Sequence, residues 1–131
     1  MGKLDGKVAI VTGAGQGVGE GIALALAKEG AMIVAVGRTE AKLARARAQI
    51  ETAGGRAAII ACDLMQPKGI AATVHGALAA FGGIDILVNN AQIIHNRPLD
   101  EIEDADFAEV FDSGPLATFR LMKAVHAHMA A

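Results

Sequence analysis

Apolar runs alternate with amphipathic stretches from one end of the chain to the other. Val8-Ala9-Ile10-Val11 is a short β-favouring run closed by Thr12-Gly13, and its uniform apolarity predicts a buried strand. Val18, Ile22, Ala25 and Leu26 follow at helical spacing and predict the buried face of a first helix, ended by Gly30. Met32-Ile33-Val34-Ala35-Val36 predicts a second strand. The stretch 40–53 sets Leu43, Ala46 and Ile50 on one helical face and stops at Gly54-Gly55. Ala57-Ala58-Ile59-Ile60-Ala61 predicts a third strand, leading into Cys62-Asp63-Leu64. Pro67 suits the first turn of a third helix, whose apolar stripe is Ile70, Val74, Leu78 and Phe81. Ile84-Asp85-Ile86-Leu87-Val88 predicts a fourth strand running into Asn89-Asn90, followed by a loop over 91–98. Asp100, Glu101 and Glu103 suit the start of a helix through its macrodipole. A last helix from about residue 116 is expected to turn Phe119, Met122, Val125 and Met129 inward.

Strand–helix alternation with uniformly apolar strands predicts an α/β fold: a doubly wound parallel sheet, covered on both faces and joined by right-handed crossovers. No linker or low-complexity segment interrupts it, so residues 1–131 are expected to form one unit. Hydrophobic residues at 53% and charged residues at 20% exclude intrinsic disorder. Twelve Lys and Arg against 14 Asp and Glu, a net of −2, supply no basic face for nucleic acid and no polybasic membrane patch. No run reaches the ~20 apolar residues of a membrane span. The opening residues lack a signal-peptide core, and a single cysteine, Cys62, favours a reducing compartment, so a cytoplasmic protein is expected.

Between the first strand and first helix lies Thr12-Gly13-Ala14-Gly15-Gln16-Gly17-Val18-Gly19. Glycines there allow a tight turn, close approach of a diphosphate to the backbone, and close packing of helix on strand. The helix start adds free N–H groups and partial positive charge. An isolated glycine triplet reads as a turn; one that follows a strand and opens a helix in the first βαβ unit points to a nucleotide. A site for NAD usually places a carboxylate after the second strand to hold the ribose 2′-hydroxyl. Here the chain reads Val36-Gly37-Arg38-Thr39. A guanidinium suits a 2′-phosphate, so NADP is expected over NAD, although Gln16 withholds the basic residue that would reinforce it within the loop. The missing carboxylate also counts against a methyltransferase, and no GKS or GKT supports a Walker loop.

These landmarks, with Cys62-Asp63-Leu64, Asn89-Asn90-Ala91 and the final amphipathic segment, resemble the short-chain dehydrogenase/reductase family of classical type. The resemblance implies a Rossmann-like sheet with strand order beginning 3-2-1-4, cut before its fifth strand, and an NADP(H)-dependent oxidoreductase acting on a carbonyl or alcohol. It implies cofactor contacts from Gly13, Gln16, Gly17, Val18 and Gly19, from Arg38, from Asp63 to the adenine amino group, from Leu64, and from Asn90 near the ribose, with Asn89 tying strands together. Two departures stand out: Gln92 where the family carries glycine, and Gly114 where it carries a catalytic asparagine. Gly114-Pro115 is expected to start or break the last helix.

The family's serine and Tyr-x-x-x-Lys signature is absent, and the chain contains no tyrosine. It is therefore expected to supply a cofactor-binding half that does not turn over alone, with an exposed edge at Leu87-Val88 prone to association. The alternatives are a non-catalytic NADP-binding module and a relic without ligand. Homo-oligomerisation through the last helix is compatible with the resemblance. His75, His95, His126 and His128 form no ligand-spaced cluster, so no metal site is expected; Cys62 reads as a small buried hydrophobe.

Overall fold

Strands that are apolar at nearly every position need cover on both sheet faces. The computed structural model, which describes residues 2–131, shows how the chain provides it. In chain order the elements are β1 (Val8–Thr12), α1 (Gly17–Lys28), β2 (Met32–Gly37), α2 (Glu40–Thr52), β3 (Arg56–Ala61), α3 (Pro67–Phe81), β4 (Ile86–Val88), α4 (Asp104–Phe111) and α5 (Ala117–Ala130). A short 3-10 turn, Leu99–Glu101, precedes α4, and a π-helical segment, Asp112–Leu116, joins α4 to α5. The four strands are parallel in the order β3-β2-β1-β4. This is the Rossmann-like arrangement, with the strand order, that the family resemblance implied.

Alternation along the strands sorts the core into two layers. Val8, Ile10, Val34 and Val36 face α3 and α5, meeting Ile70, Val74, Leu121 and Val125. Ala9, Val11, Ile33 and Ala35 face the other way, toward Ala23 and Ala27 of α1 and Leu43 and Ile50 of α2. The second layer is rich in alanine, which lets α1 lie close to the strands. That closeness brings the start of α1 up to the end of β1.

The structure corrects several expectations. Strand β4 begins at Ile86 rather than Ile84 because Asp85 leaves the ladder. Its carboxylate accepts from the Val8 N–H at 2.9 Å while its own N–H donates to the Val8 carbonyl at 2.9 Å. On α1 the buried positions are Gly19, Ala23 and Ala27, one residue on from the face that Val18, Ile22 and Leu26 suggested, and Val18 is 73% exposed. On α5 only Val125 of the expected inward set is buried. Ala117 and Leu121 complete the face, while Phe119, Met122 and Met129 point outward. Apolar residues cover more than one side of α5, so spacing alone could not select the packed side.

Gly114-Pro115 does not break the helix. One wide turn absorbs the proline, which lacks an N–H to donate, and the helix continues from α4 into α5. None of the helices described is long and apolar enough to cross a membrane.

The α5 assignment has a direct test. Leu121→Ala is expected to lower the unfolding free energy by about 2–5 kcal/mol, as for a buried leucine. Met122→Ala should stay within about 0.5 kcal/mol. Urea unfolding of both variants measures this, and the reverse ranking would refute the packing described.

Candidate functional site

The C-terminal ends of β1, β2, β3 and β4 open on a cleft of about 410 Å³, lined by the glycine loop and by the segments that follow the other three strands. Gly13 and Gly17 have φ of 64° and 58°, the left-handed region that glycine enters without strain. Gly19 serves differently. A Cβ there would collide with the Gly13 carbonyl and with Asn90 Nδ2, so the first turn of α1 packs directly on the loop backbone. Gly13, Gln16, Gly17 and Val18 line the cleft; Gly19 lies beneath it.

Behind the loop, the buried Thr12 hydroxyl accepts from the N–H groups of Asn90 and Ala91, both at 2.9 Å, and donates to the Val88 carbonyl at 3.3 Å. Asn90 Nδ2 in turn donates to the Gly13 carbonyl at 3.4 Å. The end of β4 is thereby stitched to the end of β1. The side chain that ties is Asn90, not Asn89, which is exposed. Nothing in the local sequence around Thr12 signals this junction role.

At the opposite rim Arg38 is exposed immediately after β2 and enters no ion pair among the described residues. Gly37 beside it leaves room for Leu43, whose Cδ2 would stand 3.2 Å from a Cβ there. Asp63 turns the chain after β3: its Oδ1 accepts from the Met65 N–H at 2.9 Å. Leu64 is buried at the cleft floor. Arg120 of α5 reaches back to donate to the Met65 carbonyl at 3.4 Å. Cys62 also lines the cleft, and burial pushes its thiol pKa up, so it is a poor nucleophile at neutral pH.

The loop after β4 is clamped from the far side. Ser113 Oγ accepts from the Ile93 N–H at 2.9 Å, His95 Nε2 lies 2.8 Å from Glu109 Oε1, and Arg97 pairs with Asp106 at 2.8 Å. His95 is therefore a clamp partner rather than a free acid at the cleft mouth. The two departures meet here: a Cβ at Gly114 would stand 3.5 Å from the Gln92 carboxamide. Gln92 thus turns toward the π-helical segment and takes up space beside Gly114. Among the described residues no His, Cys, Asp and Glu group could hold a metal ion.

The donor set fits a dinucleotide. The start of α1 opens on the glycine loop, Gly17 has nothing within 4 Å of where a Cβ would stand, a carboxylate stands beyond β3, and a guanidinium stands beyond β2.

A family model described as short chain dehydrogenase matches residues 7–131. The chain belongs to the short-chain dehydrogenase/reductase family. Short-chain reductase protein NovJ of Streptomyces niveus is 43% identical over 122 residues, covering 93% of this chain and 47% of that protein. A 3beta-hydroxysteroid dehydrogenase of Mediterraneibacter gnavus is 39% identical over 114 residues, covering 86% of this chain and 41% of its own length. Among solved structures, L-sorbose reductase from Gluconobacter frateurii, complexed with NADPH and L-sorbose, superposes with a TM-score of 0.90 at 38% identity, over 98% of this chain and 49% of that one. A metagenomic short-chain oxidoreductase in complex with NADP gives 0.88 at 38% identity, over 96% and 57%. The chain spans about half the length of the curated relatives that it matches.

Two outcomes follow from the geometry. Gly19→Ala should cost roughly 1–3 kcal/mol through overpacking against Gly13 and Asn90. Gly21→Ala, in open space two residues along the same helix, should gain about 0.5–1 kcal/mol; thermal unfolding separates them.

The Glu103 N–H, with Arg97 and His95 nearby, holds the Asp106 carboxyl below the usual aspartate range. Since the folded pKa is lowered, its contribution is present above the unfolded value and declines as pH falls through the lowered one. Carboxyl NMR should show Asp106 titrating below free aspartate in the folded protein, and a value at or above it would contradict the clamp.

Proposed function

We propose that the cleft binds NADP(H) and that these residues form the cofactor-binding part of an oxidoreductase exchanging hydride with a carbonyl or alcohol substrate. The observation that carries the cofactor reading is Arg38 at the rim after β2, where an NAD site would hold a carboxylate. Gly13, Gly17 and Val18 would hold the diphosphate through the opening amides of α1, and Gly19 would set the distance of that helix from the loop. Asp63 has a second carboxylate oxygen free of the Met65 turn to accept from the adenine amino group, Leu64 would lie against the adenine, and Asn90 would stand near the ribose. The bound cofactor supplies the hydride chemistry. Support comes from NADPH and NADP in the two structural neighbours, one of them a sugar reductase.

The chain contains no tyrosine to serve as the general acid/base of the family resemblance. Binding without turnover by these 131 residues is the behaviour proposed. The exposed apolar side chains Phe107, Phe111, Phe119 and Met122 of α4 and α5 support self-association through those helices.

Charge-assisted hydrogen bonds from Arg38 to a 2′-phosphate are worth ~1.5–3 kcal/mol, roughly ten- to hundredfold in affinity. Titration of NADPH and NADH should show a preference of that order, reversed in Arg38→Asp. An unchanged ratio would overturn the assignment.

A further inference from the structure

The glycine loop presents Gln16, a neutral residue, at the rim where a second cation would favour an anionic ligand. The structure brings one there from another element. Lys42, in the first turns of α2, donates from Nζ to Gln16 Oε1 at 2.5 Å, and both side chains line the cleft with Arg38 and Thr39. The stem of Lys42 is fixed as well: a Cβ on Gly15 would come within 3.0 Å of Lys42 Cβ, so the loop backbone and α2 meet at contact distance.

The neighbouring charges leave this ammonium uncancelled. Arg45, one turn further along α2, donates to the Gly15 carbonyl at 3.3 Å and pairs with Glu20 at 3.2 Å, so the nearby carboxylate is taken by a different cation. Lys42 has a neutral amide for its partner, and it enters no ion pair among the described residues. An ammonium has three donors; one goes to Gln16 and two remain for a ligand. Arg38 and Lys42 thus bring two cations to one rim, one on the turn after β2 and one from α2. A phosphomonoester dianion matches two cations lining one cleft better than a hydroxyl does.

We infer that Lys42, oriented by Gln16, is a second specificity-determining residue of the cleft, contacting the phosphate that distinguishes NADPH from NADH. This rests on the dinucleotide reading of the cleft and adds a residue that the reading does not require. Gln16 acts as a positioning residue: it adds no charge, but it holds the ammonium at the loop instead of letting it sweep through solvent.

The test is equilibrium titration of NADPH and NADH against the unmodified protein, Arg38→Met, Lys42→Met, Lys42→Arg and Gln16→Leu, at low and high salt. Methionine keeps the length of the lysine stem, and an unchanged melting temperature confirms the fold. Lys42→Met is expected to weaken NADPH by roughly three- to tenfold, to leave NADH within about twofold, and to flatten the salt dependence of NADPH binding. Lys42→Arg should retain the preference, and Gln16→Leu should lose part of it. If Arg38→Met selectively weakens NADPH while Lys42→Met leaves both ligands alone or weakens them equally, the Lys42 assignment is overturned and the cofactor reading stands. If the unmodified protein binds neither dinucleotide, or binds both equally, both fall together.

Discussion

The cleft depends on one meeting point where three segments come together without space for a side chain. Gly13 after β1, Gly19 in the first turn of α1 and Asn90 after β4 lie in contact, and the buried Thr12 hydroxyl ties the same junction from behind. This constraint sets how far the α1 amides stand from the strand ends and where the chain leaves β4. The alanine-rich layer beneath α1 extends it, because a larger side chain at Ala23 or Ala27 would push the helix off the strands that aim it. The open cleft is therefore a product of tight packing directly below it.

Features whose causes are local are legible in the sequence. Strands covered on both faces must be apolar throughout, so β1 and β2 were visible as unbroken runs. The glycine loop was visible because close backbone approach requires glycine in consecutive turns of a short segment. Features decided by contacts between distant segments were hidden. Asp85 looks like a polar interruption within a strand, yet it closes the start of β1 across the sheet. Lys42 looks like one solvated charge among several on α2, and its contact with Gln16 exists only because β2 returns α2 to the loop. The packed face of α5 was hidden for another reason. Its apolar residues exceed what one face can hold, and only the position of α3 and the sheet decides that Leu121 goes in and Met122 stays out.

Gln92 and Gly114, which look like two unrelated departures from a pattern, are neighbours in the structure. The Gln92 carboxamide lies against the π-helical segment, 3.5 Å from where a Cβ on residue 114 would stand, so an added methyl would meet it at ordinary contact distance. The wide turn that tolerates Pro115 also carries Ser113 to the backbone of Ile93. Each irregularity is costly alone, since a glycine and a proline both weaken a helix. Together they permit a close approach between the loop after β4 and the α4–α5 helix that a regular helix with a larger residue at 114 would not. A change at either position is thus coupled to the other and is not expected to behave additively.

The charged rim follows the same logic on the other side of the cleft. Arg38, Lys42 and Arg45 all belong to the segment after β2, and Leu43 between them is buried against Gly37. A buried leucine fixes the rotation of α2 about its axis, and that rotation sends Lys42 toward Gln16 and Arg45 toward Gly15 and Glu20. Arg45 then holds the loop in place while Arg38 and Lys42 stay available at its edge. Arg45 differs from Arg38 and Lys42 in having a carboxylate within reach, and Glu20 supplies it to Arg45 alone. A core contact thereby determines where uncompensated positive charge faces the cleft, so packing beneath α2 and the discrimination between dinucleotides proposed above belong to a single βα unit.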